Sequence, residues 1–321
     1  MAPDTSSRMS LRQLQAAMPP RVVLIEYAVS DTVSHAWIVT PHSRTFSSIP
    51  AGRQELAQLV LAATPPQADS GARAHLSRLL LEDAMPALAA SDELVVIPDG
   101  PLVALPFGFL AGRDDRPLAG HLSIVLTPSA QSWRQATIRL AAHHRSSTSL
   151  LAIGNPRLDA RVYPVLPDLP QADAEIAAVA THYAAPRLLL RGPSATVDAV
   201  VRGLATADVV HVAAHAVMNP WLTDASYIAL AGPESPTLTA SRVRTLGRLP
   251  ARLVVLAACE SGAGGRALFD SPLSLARAFL AAGVPAVVAS LWPVSDRASR
   301  ALFDVFHTEF SRSGDAARAL Q

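Results

Sequence analysis

Arg252-Leu-Val-Val-Leu-Ala-Ala-Cys259-Glu-Ser-Gly262-Ala-Gly-Gly265 carries an apolar run straight into a glycine-rich turn, and a thiol stands where the run ends. A short apolar run bounded by turn residues reads as a strand buried on both faces. A second such run, Asp208-Val-Val-His-Val-Ala-Ala-His215, ends in the same way with an imidazole. If the two are neighbours in one parallel sheet, their carboxyl ends set thiol and imidazole side by side. That is where sites gather in open α/β sheets.

Working outward, strands are expected at 149–154, 187–190, 208–214, 226–231, 252–258 and 285–291. Helices are expected between them at 170–183, 194–204, 239–246, 271–282 and 296–312. Apolar strands alternating with amphipathic helices predict an α/β fold whose mainly parallel sheet is flanked by helices. For the helix at 271–282, Ser271 suits the cap and Pro272 the first turn. Gly283 suits the left-handed residue after the last turn.

The N-terminal part is organised differently. Arg21–Val29 and Ser34–Thr40 are β-rich runs split by a polar turn, which predicts an antiparallel hairpin. Helical periodicity follows near 52–63 and 71–89, and Glu93-Leu-Val-Val-Ile-Pro98 reads as a short buried strand closed by Asp99-Gly100-Pro101. Residues 112–121 and 143–149 are polar and turn-rich.

Half of the 321 residues are hydrophobic, enough for a sizeable core. The formal charge is +1, and the basic residues, all arginine, are scattered. Binding to nucleic acid or a membrane surface by bulk charge is therefore not expected. A single cysteine excludes an internal disulfide framework and a CxxC zinc site. The first ten residues hold no apolar signal-peptide core, and the longest apolar stretch, 278–291, is too short to span a bilayer. The expectation is a soluble, cytoplasmic protein.

A lone cysteine on an apolar strand is more often an inert core residue. The strand-end position of Cys259, the glycines at 262, 264 and 265, and the matching histidine strand favour a nucleophile instead. His211 and His215 lie four apart, hence on one face of the strand. His211, mid-strand, reads as a satisfied core residue or a support of the site; His215, at the exit, is the better base. A metal held by His211 and His215 lacks an evident third ligand, so no metal or cofactor is expected. Glu260 and Ser261 read as local structure rather than a third catalytic member.

Val209-Val-His-Val-Ala-Ala-His215 and Val254-Val-Leu-Ala-Ala-Cys-Glu-Ser-Gly262 resemble the histidine and cysteine motifs of CHAT domains, caspase-like and separase-like cysteine peptidases often joined to TPR repeats. The separation of 44 residues (259 − 215) is near the spacing of about 50 in caspase-type proteases. Val96-Ile-Pro-Asp-Gly-Pro-Leu102, Leu105-Pro-Phe107, Leu275–Gly283 and Val288–Asp296 are similar to further family motifs, in the family's order. Leu24-Ile-Glu-Tyr27 and Trp37-Ile-Val39 resemble the family's opening strands.

The resemblance implies a caspase-like fold with a pseudo-caspase-like half at 1–145 and a peptidase half at 146–321. It implies peptide-bond hydrolysis by a Cys259–His215 dyad, with the backbone N–H groups of Cys259 and Ala216 as the oxyanion hole. The family normally has Gly where this chain has Ala216; a positive φ there would strain alanine by about 1 kcal/mol. The segment Ser290-Leu-Trp-Pro-Val-Ser-Asp296 is similar to the one lining the substrate cleft, with Ser290 and Trp292 as wall residues. Asp296 would receive a basic P1 side chain; the alternative is that Asp296 caps the next helix. Trp292 as an ordinary core residue is likewise open. Peptide substrates and control by a regulatory partner or a TPR-type module are implied, within bacterial conflict or programmed-death systems. A catalytically inactive interaction module is the alternative.

Overall fold

In a computed structural model, the described residues are 9–65, 67–112, 116–142, 148–164, 166–184, 186–219, 222–232, 237–257, 273–292 and 294–321. The chain divides into two compact units, Met1–Gln135 and Ala136–Leu320.

The first unit runs α1 (Leu11–Ala17), β1 (Val22–Ala28), β2 (Ser34–Val39), β3 (Arg44–Ile49), α2 (Arg53–Ala63), α3 (Ser70–Leu81), α4 (Met85–Ala89), β4 (Glu93–Ile97) and β5 (Ser123–Leu126). Helix α5 (Ala130–Ala141) follows. The sheet order is β3-β2-β1-β4-β5. The expected hairpin is present, β1 and β2 pairing antiparallel from Leu24↔Val39 to Ala28↔His35. β4 pairs parallel with β1 and with β5. The helical stretch expected at 71–89 is broken: α3 stops at Leu81, a 3-10 turn covers Glu82–Ala84, and α4 restarts with Pro86 in its first turn. Proline has no N–H to continue the ladder and its ring collides with the carbonyl one turn back, so the break falls just before it.

The second unit runs β6 (Leu150–Pro156), α6 (Pro170–Thr181), β7 (Arg187–Gly192), α7 (Val197–Leu204), β8 (Val209–Ala213), β9 (Ala216–Val217), β10 (Tyr227–Ala229), β11 (Thr237–Thr239), α8 (Ala240–Thr245), β12 (Leu253–Leu256), α9 (Leu273–Ala281), β13 (Val287–Ala289), α10 (Asp296–Ser313) and α11 (Ala316–Ala319). Its main sheet, β13-β12-β8-β6-β7, is parallel at every pairing. The α/β architecture expected from the sequence is therefore present, with a parallel sheet covered by helices on both faces. The two-residue alternation sorts its side chains cleanly. Leu151, Ile153, Val210, Val212, Val254 and Leu256 pack with α7, α8 and α9. Leu150, Ala152, Val209, Leu253 and Val255 pack with α6 and α10 on the other face.

One strand departs from the expectation. Residues 227–229 do not join the parallel sheet but sit centrally in a small antiparallel one, β11-β10-β9. The turn after α9 is as read from the sequence, Gly283 having φ +93°; Ser271 and Pro272 lie outside the described residues.

Candidate active site

β8 and β12 are adjacent and parallel, with Val212 opposite Leu256. β13 flanks β12 on one side, and β6 flanks β8 on the other. Four neighbouring strands thus present their carboxyl ends along one edge. β13 leads into Ser290 and Trp292, both partly buried, and β12 leads toward Cys259. β8 leads into His215, and β6, with Asn155 near its end, into the loop containing Pro167. Cys259 itself lies outside the described residues.

His215 is buried, with 5% of its surface exposed. Its Nε2 lies 2.6 Å from the carbonyl oxygen of Pro167. A carbonyl can only accept, so Nε2 carries the hydrogen, and the lone pair of the neutral ring stands on Nδ1. Pro167 is held in turn through Asn155. The Asn155 Oδ1 accepts from the Leu169 N–H at 2.9 Å, and its Nδ2 donates to Asp173 Oδ2 at 3.3 Å. Asn155 has φ +43°, a left-handed conformation that asparagine tolerates better than most residues. Sequence reasoning passed over both Pro167 and Asn155. The asparagine at a strand end was the one available signal; a backbone carbonyl leaves none.

Ala216 begins β9 and its φ is not positive. Alanine is therefore unstrained there. The Ala229 N–H donates to the His215 carbonyl at 2.9 Å while Ala216 faces Ile228. That makes Ala216–Ile228 a non-hydrogen-bonded pair, so the Ala216 N–H points away from β10, off the edge of the small sheet.

Asp296 is the first residue of α10, and the cap is its neighbour: the Ser295 side chain accepts from the Ala298 N–H. Capping by Asp296, the alternative read from the sequence, is thus replaced by capping by Ser295. His211 is fully buried and bonded on both nitrogens, to Glu175 and His307. Among the described residues, no group of three or more His, Cys, Asp or Glu side chains could hold a metal ion. Nor is any helix among them long and apolar enough to cross a membrane.

The sequence model of the CHAT domain matches residues 71–321, well over half of the chain. The chain belongs to the CHAT family. This CHAT chain is 28% identical to human tetratricopeptide repeat protein 28 and 27% identical to its mouse counterpart, in each case over 71% of the chain. It spans only about a tenth of those relatives, 11% of either length. Among solved structures it is similar to the Arg-specific cysteine proteinase gingipain R, at 11% identity and a TM-score of 0.45, covering 79% of this chain and 60% of that one.

Proposed function

We propose that this CHAT-family chain is a cysteine endopeptidase with Cys259 as nucleophile and His215 as base. The observation that carries the reading is the Pro167 carbonyl on His215 Nε2, which makes Nδ1 the basic nitrogen of a neutral ring just past β8, the strand beside β12, whose sequence runs on to Cys259. A thiol needs a base so presented to become a thiolate at neutral pH.

In the first step His215 Nδ1 takes the Cys259 proton and the thiolate sulfur bonds to the scissile carbonyl carbon. The oxyanion is received by the backbone N–H groups of Cys259 and Ala216, the latter directed off the small sheet. The carbon–nitrogen bond then breaks, and the imidazolium returns its proton to the leaving amine. Water, deprotonated by the same imidazole, attacks the thioester and releases the carboxylic acid and the thiol.

Ser290, Trp292 and Asp296 would line the substrate cleft, Asp296 receiving a basic P1 residue. Residues 146–321 would be the peptidase half and 1–145 the pseudo-caspase-like half. The named relatives are tetratricopeptide repeat proteins, which supports control by a TPR-type module or partner. The rival reading, an inactive interaction module, drew on a strained alanine after His215, and Ala216 is unstrained.

The test is cleavage of peptides bearing Arg, Lys, Asp or Leu at P1, by the native chain and by Cys259→Ala. Cleavage by the native chain alone is expected; equal cleavage by both would remove the peptidase reading.

A further inference from the structure

Glu175 on α6, His211 on β8, His307 on α10 and Tyr183, just past α6, form an unbroken chain of hydrogen bonds. His211 Nε2 lies 2.8 Å from Glu175 Oε1, His211 Nδ1 lies 3.0 Å from His307 Nε2, and His307 Nδ1 lies 2.6 Å from the Tyr183 hydroxyl. All four residues are buried, in a cluster otherwise built of Leu, Ile, Val, Ala and Phe. Edge-on rings hold the imidazoles in place, Phe303 at 5.4 Å from His211 and Phe306 at 5.1 Å from His307.

The polarity of the chain follows from its phenol end. Among the described residues the Tyr183 hydroxyl has His307 Nδ1 as its hydrogen-bond partner, so its O–H donates there. His307, kept neutral by burial and by neighbouring His211 and His182, then carries its proton on Nε2 and donates to His211 Nδ1. His211 in turn carries its proton on Nε2 and donates to Glu175 Oε1. Every donor points along the chain toward Glu175, and both histidines are Nε2–H tautomers.

Apolar side chains could fill this space at less desolvation cost, but they would not fix orientation; a fully satisfied polar chain does. The elements it ties together are those that carry the candidate site. α6 begins three residues after Pro167, α10 begins where the Ser290–Ser295 segment ends, and β8 delivers His215. We propose that Glu175, His211, His307 and Tyr183 form a one-directional hydrogen-bond relay that positions the site by holding α6 and α10 in register on β8. These are positioning residues, buried within the protein. The effect on catalysis rests on the peptidase reading; the relay's polarity and its hold on His215 do not.

The test uses the full chain labelled with 15N-histidine. Long-range proton–nitrogen spectra of the native protein should show His211 and His307 as Nε2–H tautomers at pH 7. Tyr183→Phe should bring Nδ1–H signal into His211 or His307. It should also speed exchange of the His215 Nε2–H by about tenfold as its contact with Pro167 loosens. Labelling of Cys259 by a peptidyl thiol probe should slow on the order of tenfold. Glu175→Gln keeps an acceptor oxygen for His211 and should retain native tautomers and labelling within about twofold. A native Nδ1–H tautomer at His211 or His307 would overturn the polarity. Unchanged His215 exchange in Tyr183→Phe would overturn the positioning role. If native Cys259 labels no faster than a free thiol, the peptidase reading fails, and the His215 exchange rate still decides the relay.

Discussion

The ring of His215 is turned by a backbone oxygen from far away in the chain: Pro167, 48 residues earlier, sits 2.6 Å from Nε2. Two residues beyond that carbonyl the chain is tied by Asn155, whose side chain bonds Leu169 and Asp173 while its own backbone is left-handed at φ +43°. Asn155→Ala removes both bonds and places a Cβ-bearing residue without a compensating side chain in that conformation. A loss of about 2 kcal/mol is expected. Asn155→Gly relieves the backbone but not the bonds, and should lose about half as much. Urea denaturation of the two variants checks the order; equal stability of the alanine variant and the native chain would show that the loop is held by other contacts.

Burial first, and then the repulsion that His211 and His182 would exert once protonated, pushes the His307 imidazole down to about 2. In the unfolded chain the same ring binds a proton near pH 6.5. Below that pH the unfolded state holds more protons, so stability falls as pH falls, by up to about 1.4 kcal/mol per pH unit until the folded-state value is reached. His307→Gln keeps an N–H for His211 and a carbonyl for Tyr183 but cannot titrate. It should be less stable than the native chain at pH 7 and lose less on going from pH 6.5 to pH 4.5. Parallel losses across that range, by urea denaturation, would exclude His307 as a source of acid sensitivity.

The parallel sheet was legible because its inner strands β6, β8 and β12 are buried on both faces, and a run such as Leu253-Val-Val-Leu256 has no other easy reading. Strand β3, Arg44-Thr-Phe-Ser-Ser-Ile49, escaped notice because most of it is exposed and its alternation carries little apolar signal. β10 has two partners of only two and three residues, too short for any periodicity, so nothing marked it as a separate sheet. Of the site, the strand-end histidine was legible and its support was not. His211 meets a histidine 96 residues away, and His215 meets a main-chain oxygen. Such pairings arise from packing α6 and α10 on β8, which residue spacing does not encode.

Gly154 and Gly203 make a paired prediction about how helices seat on that sheet. A Cβ at Gly154 would stand 2.9 Å from the backbone oxygen of Ala172 and 2.8 Å from Ile176 Cδ1, so α6 itself would have to move. Gly154→Ala should cost about 1–3 kcal/mol. At Gly203 the clash is with the methyl ends of Leu151 and Leu188, which can turn aside, and alanine is the better helix former within α7. Gly203→Ala should fall within about 1 kcal/mol of the native chain. Thermal or urea unfolding distinguishes them; equal costs would mean that α6 yields as readily as a leucine side chain.

Ser295, rather than Asp296, caps α10, and this separates two effects that the sequence alone confounds. Ser295→Ala should lose the bond to the Ala298 N–H, with about 1 kcal/mol of stability, and leave any P1 preference as it was. Asp296→Ala keeps the Ser295 cap and removes a negative charge from the helix start, which costs about 0.3–1 kcal/mol. If Asp296 receives a basic P1 residue, that variant should lose cleavage after Arg and Lys far more than after Leu, since a bidentate guanidinium–carboxylate pair would be removed. Cleavage rates of matched peptides by both variants settle the point. A preference that survives Asp296→Ala would exclude the carboxylate from the pocket, and one that disappears in Ser295→Ala would trace it to the helix start instead.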